Sequence, residues 1–334
     1  MQRRTRVSSA LAGLVAFGLA CSACTTGGVA DQAKGSEPPP PAATRTAYTP
    51  YVSATTAAET DGAGSPDTYN LAFVTSEAAG CTPLWGGTAA VSGKAVAARV
   101  EALTATGADV RVSFGGAAGT EAALTCDSAR ALADAYADVL DAVGATKADF
   151  DIEGDALTDT ASVTRRNEAL ALLQDERDLD VTYTLPVMPD GLEDTGTAVL
   201  EDAADQGVEV SAVNIMAMNY STSHDGDMGD YAESAARAAH DQLVDVLGLS
   251  RDAAWKALHI TVMIGVNDVE GETFTLDDAA SLRSFAARRG VGALSLWAAF
   301  RDRACASDEG TATASDSCSG VDQEAGAFAE ALSG

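Results

Sequence analysis

The chain has 334 residues, of which 46% are hydrophobic, so it is long enough to bury a large core in one domain or two. Its 49 acidic and 21 basic residues give a formal net charge of -28. This charge repels phosphate backbones and anionic lipid surfaces, which argues against nucleic-acid binding.

Residues 1–24 have the pattern of an export signal. Three arginines precede an apolar run at residues 7–20, which is too short for a comfortable transmembrane helix. Cys21 and Cys24 both follow small residues, so a lipid anchor at either one is an alternative to simple cleavage. We therefore expect an extracellular protein, either secreted or lipid-anchored to the outer face of the cell membrane.

Residues 25–46 are rich in Gly, Thr, Ala and Pro, which predicts a semi-rigid linker. Four cysteines follow it, and an even number in an exported chain suggests two disulfides. Four cysteines allow three pairings, and free buried thiols are a further alternative. The pairings that we favour are Cys81 with Cys126 and Cys305 with Cys318.

From residue 47 to 334, short β-branched or apolar runs alternate with helical patterns. The predicted strands are 47–53, 69–75, 109–115, 148–154, 180–187, 210–219, 258–265 and 291–298. Apolar residues at helical spacing over 132–143, with Gly144 as a stop, predict an amphipathic helix. The first connection, 54–68, has no convincing helix. Eight such units predict a single α/β domain with the (β/α)8 TIM-barrel fold.

The predicted fourth strand carries three acids at two-residue spacing. Asp149, Asp151 and Glu153 share one face, while Phe150 and Ile152 point the other way. On an open sheet this pattern would be typical of an ordinary solvated face. In a barrel the acidic face points inward, towards the strand ends where catalytic groups lie. An interior row of carboxylates is costly unless protons are shared or hydrogen bonds are made, so it marks a candidate site.

This strand resembles the DxxDxDxE signature of glycoside hydrolase family 18, the chitinase family. Asp149, Asp151 and Glu153 match its last three acids, whereas its first Asp falls on Thr146. Three further segments resemble family motifs in the right order: Ser113-Phe114-Gly115-Gly116 resembles SxGG, Met216-Ala217-Met218-Asn219 stands at MxYD, and Trp297 stands at the floor tryptophan. The segments 81–85, 263–268 and 297–302 resemble bacterial chitinases of the D type.

The resemblance implies a mechanism in which the 2-acetamido oxygen of the substrate acts as nucleophile. Glu153 would protonate the glycosidic oxygen and later activate water. Asp151 would orient the acetamide and stabilise the oxazolinium-like intermediate. Asp149 would share a proton with Asp151, so that the two acids titrate as a pair.

The sixth strand departs from the family pattern. Met218 and Asn219 stand where the family has tyrosine and aspartate, and Asn219 can hydrogen-bond an acetamide but carries no charge. Strand alternation places Tyr220 on the same face as Met216 and Met218, next to the substrate. A packing role for both methionines is the alternative.

The remaining candidates come from other strands. Trp297 is expected to stack under the sugar at the cleavage subsite, and Trp85 either lines an outer subsite or packs in the core. On the third strand, Ser113, Gly115 and Gly116 are expected to support the site by letting that strand approach the carboxylates closely.

No metal or cofactor is implied. The three histidines are scattered, and no Cys/His cluster has metal-ligand spacing. Asp225, Asp227 and Asp230 lack a calcium-loop pattern and are expected to cap the following helix.

The sequence therefore predicts an exported hydrolase that cuts β-1,4 linkages of chitin or chito-oligosaccharides with retention of configuration. An endo-β-N-acetylglucosaminidase acting on N-glycans is the alternative within the same class. A non-catalytic, lectin-like chitin-binding protein is the alternative from another class, and the intact Glu153 argues against it. No protein partner is implied.

Overall fold

The computed structural model describes residues 45–77, 80–306 and 313–334. The predicted export signal at 1–24, with Cys21 and Cys24, lies outside the described residues. So does the predicted linker except for Arg45 and Thr46, which already contact the folded domain: Arg45 pairs with Asp67, and Thr46 is buried.

Eight parallel strands close into a barrel. They are β1 (Ala47–Tyr48 and Tyr51–Ser53), β2 (Thr68–Ser76), β3 (Asp109–Gly115), β4 (Lys147–Asp151), β5 (Asp180–Pro186), β6 (Val210–Met216), β7 (Leu258–Met263) and β8 (Ala293–Trp297). The first segment of β1 pairs with β8 and its second segment pairs with β2, which completes the ring. The predicted (β/α)8 fold class is confirmed.

Helices fill the connections and cover the barrel. They are α1 (Lys94–Thr104), α2 (Ala122–Thr125), α3 (Ala129–Val143), α4 (Asp155–Thr158), α5 (Thr160–Glu176), α6 (Asp194–Gln206), α7 (Met228–Val246), α8 (Arg251–Ala257), α9 (Leu276–Arg289) and α10 (Ala327–Ser333). The connection from 54 to 67 contains turns and bends without a helix, as predicted. Within the described ranges, no helix is long and apolar enough to cross a membrane.

The sequence explains where two of these helices end or begin. The predicted helix over 132–143 is α3, which ends at Gly144 in the left-handed conformation, with φ of 68°. Asp227 caps α7 by accepting a hydrogen bond from the Asp230 backbone N–H, as the sequence suggested.

The two faces of β4 have opposite surroundings. Phe150 lies on the helix side, where its ring centroid is 5.2 Å from that of Phe114 and 5.1 Å from that of Tyr136 on α3. Ile152 is fully buried on the same side. Because these apolar side chains pack outward against the helices, Asp149 and Asp151 are directed into the barrel.

Strands β4 and β6 each end three residues earlier than predicted, and a residue with positive φ follows each end. β4 stops at Asp151 and the chain turns at Gly154, with φ of 53°, so Glu153 lies in the connection to α4. β6 stops at Met216, and Asn219 has φ of 54°. Positive φ is incompatible with an extended strand, so both predicted strands were too long.

Both favoured disulfides are present. Cys81, in the connection after β2, is bonded to Cys126 at the end of α2, with their Cα atoms 4.6 Å apart. Cys305 and Cys318 are bonded near the C-terminus, with their Cα atoms 5.0 Å apart. Each bond pins a connection beside the carboxyl ends of the barrel strands.

Candidate active site

A cavity of about 560 Å³ lies at the carboxyl ends of the strands. Its lining comes from all eight strands or the connections that follow them. Among the residues predicted for the site, those that line it are Asp151, Glu153, Met216, Met218, Asn219, Tyr220 and Trp297. The barrel therefore brings residues from β4, β6 and β8 to one place, where barrel enzymes carry their chemistry.

Glu153 stands at the entrance to the α4 connection and is half-buried. Burial raises the pKa of its carboxyl above the ordinary value, because the charged form loses water. A raised pKa keeps part of the population protonated closer to neutral pH. This is the property that a general acid needs.

Asp151 lies one strand step deeper and is only 4% exposed. Burial, then the negative charges of Glu153 and Asp149, raise its pKa well above the ordinary value. Its Oδ1 atom is buried and accepts no hydrogen bond from the described residues. A buried oxygen of this kind is available to a donor on a bound ligand.

Asp149, below it, is surrounded by hydroxyl groups. Tyr51 and Ser113 donate to its Oδ2 at 2.8 and 2.5 Å, and Thr184 donates to its Oδ1 at 2.6 Å. Burial raises the pKa of Asp149, and these bonds together with the Arg111 charge oppose the rise. Among the described contacts, no hydrogen bond joins Asp149 to Asp151, so proton sharing between them stays a prediction.

The hydroxyl network continues around the barrel. Asn214 donates to Tyr51 at 3.2 Å and to Thr184 at 2.9 Å, and it accepts from Thr261 at 2.9 Å. These residues come from β1, β5, β6 and β7. A polar layer therefore crosses the barrel beneath the cavity and fixes Asp149 in place.

Aromatic rings form the floor of the cavity. Trp297 stacks on Phe73 with centroids 5.4 Å apart and an interplanar angle of 24°, and Tyr51 meets its edge at 5.9 Å. Arg301 donates to the Trp297 carbonyl at 3.3 Å and to the Val266 carbonyl at 2.8 Å. The floor is thus anchored from below and presents an apolar surface suited to the face of a sugar ring.

The chain has curated relatives among chitinases. It is 36% identical over 275 residues to a probable bifunctional chitinase/lysozyme of Escherichia coli K12, covering 76% of this chain and 31% of that protein. It is 36% identical over 248 residues to endochitinase 11 of Metarhizium anisopliae, covering 70% and 47%. The chain therefore spans between about a third and a half of these relatives. No protein-family model matches it.

Solved structures share the fold. The catalytic domain of a hyperthermophilic chitinase from Pyrococcus furiosus matches with a TM-score of 0.76 at 28% identity, covering 86% of this chain and 94% of that one. Catalytic-site mutants of active domain 2 of the P. furiosus chitinase, complexed with chito-oligosaccharides, match equally well at 27% identity. Sequence relatives and fold neighbours together support glycoside hydrolase family 18.

The family 18 position of the fourth acid is occupied by Asn219, whose amide is already engaged. Its Oδ1 accepts from the Asp268 N–H at 2.9 Å and the Val269 N–H at 3.3 Å, and its Nδ2 donates to Asp268 Oδ2 at 3.2 Å. Asn219 therefore ties the connection after β6 to the connection after β7. It also brings the Asp268 carboxylate to the cavity wall.

Tyr220 follows in the same turn. Its hydroxyl is buried and has no partner among the described residues, although the side chain lines the cavity. Burial, then the Glu272 charge, raise the pKa of Tyr220, so the hydroxyl stays protonated. Because Asn219 turns the chain, Met218, Asn219 and Tyr220 all reach the cavity, which strand alternation alone did not predict.

The β3 residues of the SxGG motif support the site without lining it. A Cβ on Gly115 would lie 2.1 Å from the Asp151 carbonyl oxygen, and one on Gly116 would lie 2.9 Å from the Phe73 ring. Ser113 is fully buried beneath the cavity, where it bonds Asp149. The lack of a side chain at Gly115 lets β3 approach the carboxylate strand closely, and that at Gly116 makes room for the Phe73 ring.

The prediction that Trp85 lines an outer subsite is corrected by the structure. It lies in a short strand, Pro83–Trp85, that pairs antiparallel with β2, and it is only 1% exposed. It does not line the cavity, contrary to the outer-subsite prediction. The hairpin turns its indole into the core, which is the packing alternative.

Tyr51, Phe73, Thr184 and Asp268 line the cavity but were not predicted from the sequence. Tyr51, Phe73 and Thr184 lie on the predicted strands β1, β2 and β5, but nothing local distinguishes them from core residues. Asp268 lies in one of the segments that resemble D-type chitinases, a signal that was available and unused. In the described part of the chain, no group of three or more His, Cys, Asp or Glu residues could hold a metal ion.

Proposed function

We propose that this chain is a chitinase-like glycoside hydrolase that cuts β-1,4 linkages next to N-acetylglucosamine in chitin or its oligomers. One observation carries the proposal. Glu153, with a raised pKa, and Asp151, with an unpartnered buried oxygen, line the same cavity above an aromatic floor. The curated relatives and the oligosaccharide-bound neighbour support the same substrate class.

In the first step, protonated Glu153 gives its proton to the glycosidic oxygen as the bond to C1 breaks. The acetamide oxygen of the same sugar attacks C1 and forms an oxazolinium-like ring. Asp151 accepts a hydrogen bond from the acetamide N–H and stabilises the positive charge. This role uses the Asp151 oxygen that has no partner among the described residues.

In the second step, Glu153, now a carboxylate, takes a proton from a water molecule. The water oxygen bonds to C1, the ring opens, and the acetamide is restored. Two displacements at C1 retain its configuration. Trp297 supports the sugar from below throughout, with Met216 and Met218 as apolar walls.

We also propose that the protein works outside the cell and belongs with the D-type bacterial chitinases. The signal-like residues 1–24 and the two disulfides support export, since disulfides persist in oxidising compartments. Labelling with a radioactive fatty acid separates lipid anchoring from secretion. A Cys21→Ser variant and a Cys24→Ser variant show which cysteine carries the label.

Mass spectrometry of products tests the function directly. Defined chito-oligosaccharides and a high-mannose glycopeptide are incubated with the enzyme side by side. We expect shorter chito-oligosaccharides and an intact glycopeptide. Release of the glycan instead would indicate an endo-β-N-acetylglucosaminidase, and binding without any cleavage would indicate a lectin-like protein.

A further inference from the structure

The cavity lining carries acidic residues beyond those of the cleavage machinery. Besides Asp151 and Glu153, the carboxylates of Glu193 and Asp268 line it. Among the described residues that line it, none is a lysine, arginine or histidine. A neutral sugar chain offers nothing to compensate this charge.

Asp268 is held in place by Asn219, and its charge interacts with the buried Arg301 guanidinium without a direct ion pair between the two. Its backbone N–H donates to Asn219 Oδ1 at 2.9 Å, and its Oδ2 accepts from Asn219 Nδ2 at 3.2 Å. The residue is exposed to the cavity and forms no ion pair within 4 Å among the described residues. Asn219 thus fixes the position of a carboxylate whose charge is available to a ligand.

Glu193 provides a second free carboxylate, in the connection between β5 and α6. It occupies the N-cap position of α6, yet its side chain makes no capping hydrogen bond. It is exposed and also lacks an ion pair in the described part of the chain. Its carboxylate therefore has no structural task in the fold.

An independent observation points to a polar ligand group in the same cavity. Tyr220, next to Asn219, is 6% exposed and lines the cavity, and its hydroxyl has no partner among the described residues. A buried hydroxyl without a partner is costly unless a ligand completes its hydrogen bonds. The phenol oxygen can accept a hydrogen bond from a charged donor.

We propose that Asp268 and Glu193 bind the ammonium groups of deacetylated sugar units, so that partially deacetylated N-acetylglucosamine oligomers are a preferred substrate. This inference rests on the proposed function, since one sugar must keep its acetamide at the cleavage position. Ammonium groups at neighbouring positions compensate the free carboxylates, which neutral sugars leave unpaired.

The test compares two substrates and matched variants. Rates are measured on fully acetylated hexamers and on partially deacetylated hexamers at mildly acidic pH, where the amino groups are protonated. We expect Asp268→Asn and Glu193→Gln each to lower the ratio of kcat/KM for the deacetylated over the acetylated substrate by about threefold to tenfold. Raising ionic strength from about 20 to about 300 mM should lower the same ratio for the wild-type enzyme.

Glu201→Gln is the charge-matched control. Glu201 is exposed on α6 and does not line the cavity, so its loss changes the net charge equally and should leave the ratio unchanged. Equal ratios for all three variants and the wild type would overturn the inference while leaving hydrolysis intact. If neither substrate is cleaved, the proposed function fails instead. In that case, calorimetry of glucosamine oligomers binding to the wild type and to Asp268→Asn tests whether Asp268 binds ammonium groups. Equal affinities of the two proteins would contradict this role.

Discussion

Asp149 and Asp151 stand two residues apart on β4 and meet different partners. Asp149 has both carboxylate oxygens bonded by hydroxyls, whereas Asp151 has a buried oxygen without a described partner. The first arrangement stabilises a carboxylate within the fold. The second leaves a carboxylate oxygen that a ligand can satisfy, and such a group lowers stability where it serves function.

We expect Asp151→Asn to stabilise the protein at neutral pH while impairing turnover. Because its pKa is raised above the ordinary 3.8, the folded state binds more protons than the unfolded state between 3.8 and the raised value. Stability is therefore lost as pH rises through that window, and the amide removes the loss. Thermal unfolding should show a gain in Tm of about 2 to 4 °C for each kcal/mol recovered.

The sign of this effect is checked by pH. As pH falls towards 3.8, Asp151 is protonated in both states, so the gain should shrink. Asp190→Asn, an exposed acid in the connection after β5, should show no comparable gain at any pH. A gain that grows as pH falls would contradict the account.

Removing the Tyr51 hydroxyl should destabilise the protein. Tyr51 donates to Asp149 at 2.8 Å and interacts with Thr184 and Asn214, so Tyr51→Phe leaves buried polar groups unsatisfied. We expect a loss of about 1 to 3 kcal/mol in the free energy of unfolding by urea titration. Tyr48→Phe, on the same strand, removes a hydroxyl without a side-chain hydrogen bond in the described structure, and an equal loss there would argue against the network.

Sequence predicted the acids and not their partners. The spacing of Asp149, Asp151 and Glu153 shows which face they share, because alternation is a local property of a strand. Tyr51, Thr184 and Asn214 come from β1, β5 and β6. Tyr51 is 98 positions from Asp149 and 163 positions from Asn214. Their contacts depend on barrel closure, which no local pattern specifies.

At the scale of elements, β3 and β4 lie close together because Gly115 has no side chain. A Cβ on Gly115 would lie 2.1 Å from the Asp151 carbonyl, so Gly115→Ala should push the strands apart and displace Asp151. We expect activity to fall by about a hundredfold or more, because a displacement of about 1 Å at reacting groups has this effect.

Gly107→Ala is the matched control for backbone strain. Gly107 has φ of 90°, close to the 94° of Gly115, but a Cβ there meets nothing within 4 Å. It should cost about 1 kcal/mol of stability with turnover retained. Similar activity losses in both variants would show that backbone strain, rather than the close approach of the two strands, causes the loss of activity in Gly115→Ala.

The two disulfides should differ in their contribution. Cys81 and Cys126 are 45 residues apart, and Cys305 and Cys318 are 13 apart. Since closing a longer loop constrains the unfolded chain more, replacing each pair by serines should cost about 4 and about 3 kcal/mol respectively. Guanidinium titration of the two double variants measures both values, and the reverse order would contradict the loop-entropy argument.

Element ends were predicted less well than element order. Asn219 turns the chain after β6 with φ of 54°. An Asn that follows a run of apolar residues does not by itself predict this conformation. Trp85 was misplaced because the antiparallel Pro83–Trp85 strand is an addition to the barrel pattern. Both errors concern connections, where tertiary contacts decide the conformation.

For the whole molecule, the eight-unit pattern was sufficient to predict the barrel. Closure follows from β1, whose two segments pair with β8 and with β2. The formal net charge of -28 argues against nucleic-acid binding. Glu193 and Asp268 carry part of this charge into the cavity lining, and the proposed binding of ammonium groups rests on them.

The role of Glu153 as general acid is tested by comparing the turnover of chito-oligosaccharides by Glu153→Gln and by the wild-type enzyme. Glutamine keeps the shape of the side chain but cannot donate the proton. We expect hydrolysis by the wild type and a loss of about a hundredfold to ten-thousandfold in kcat for the variant, with Tm preserved. Unchanged turnover in the variant would contradict it.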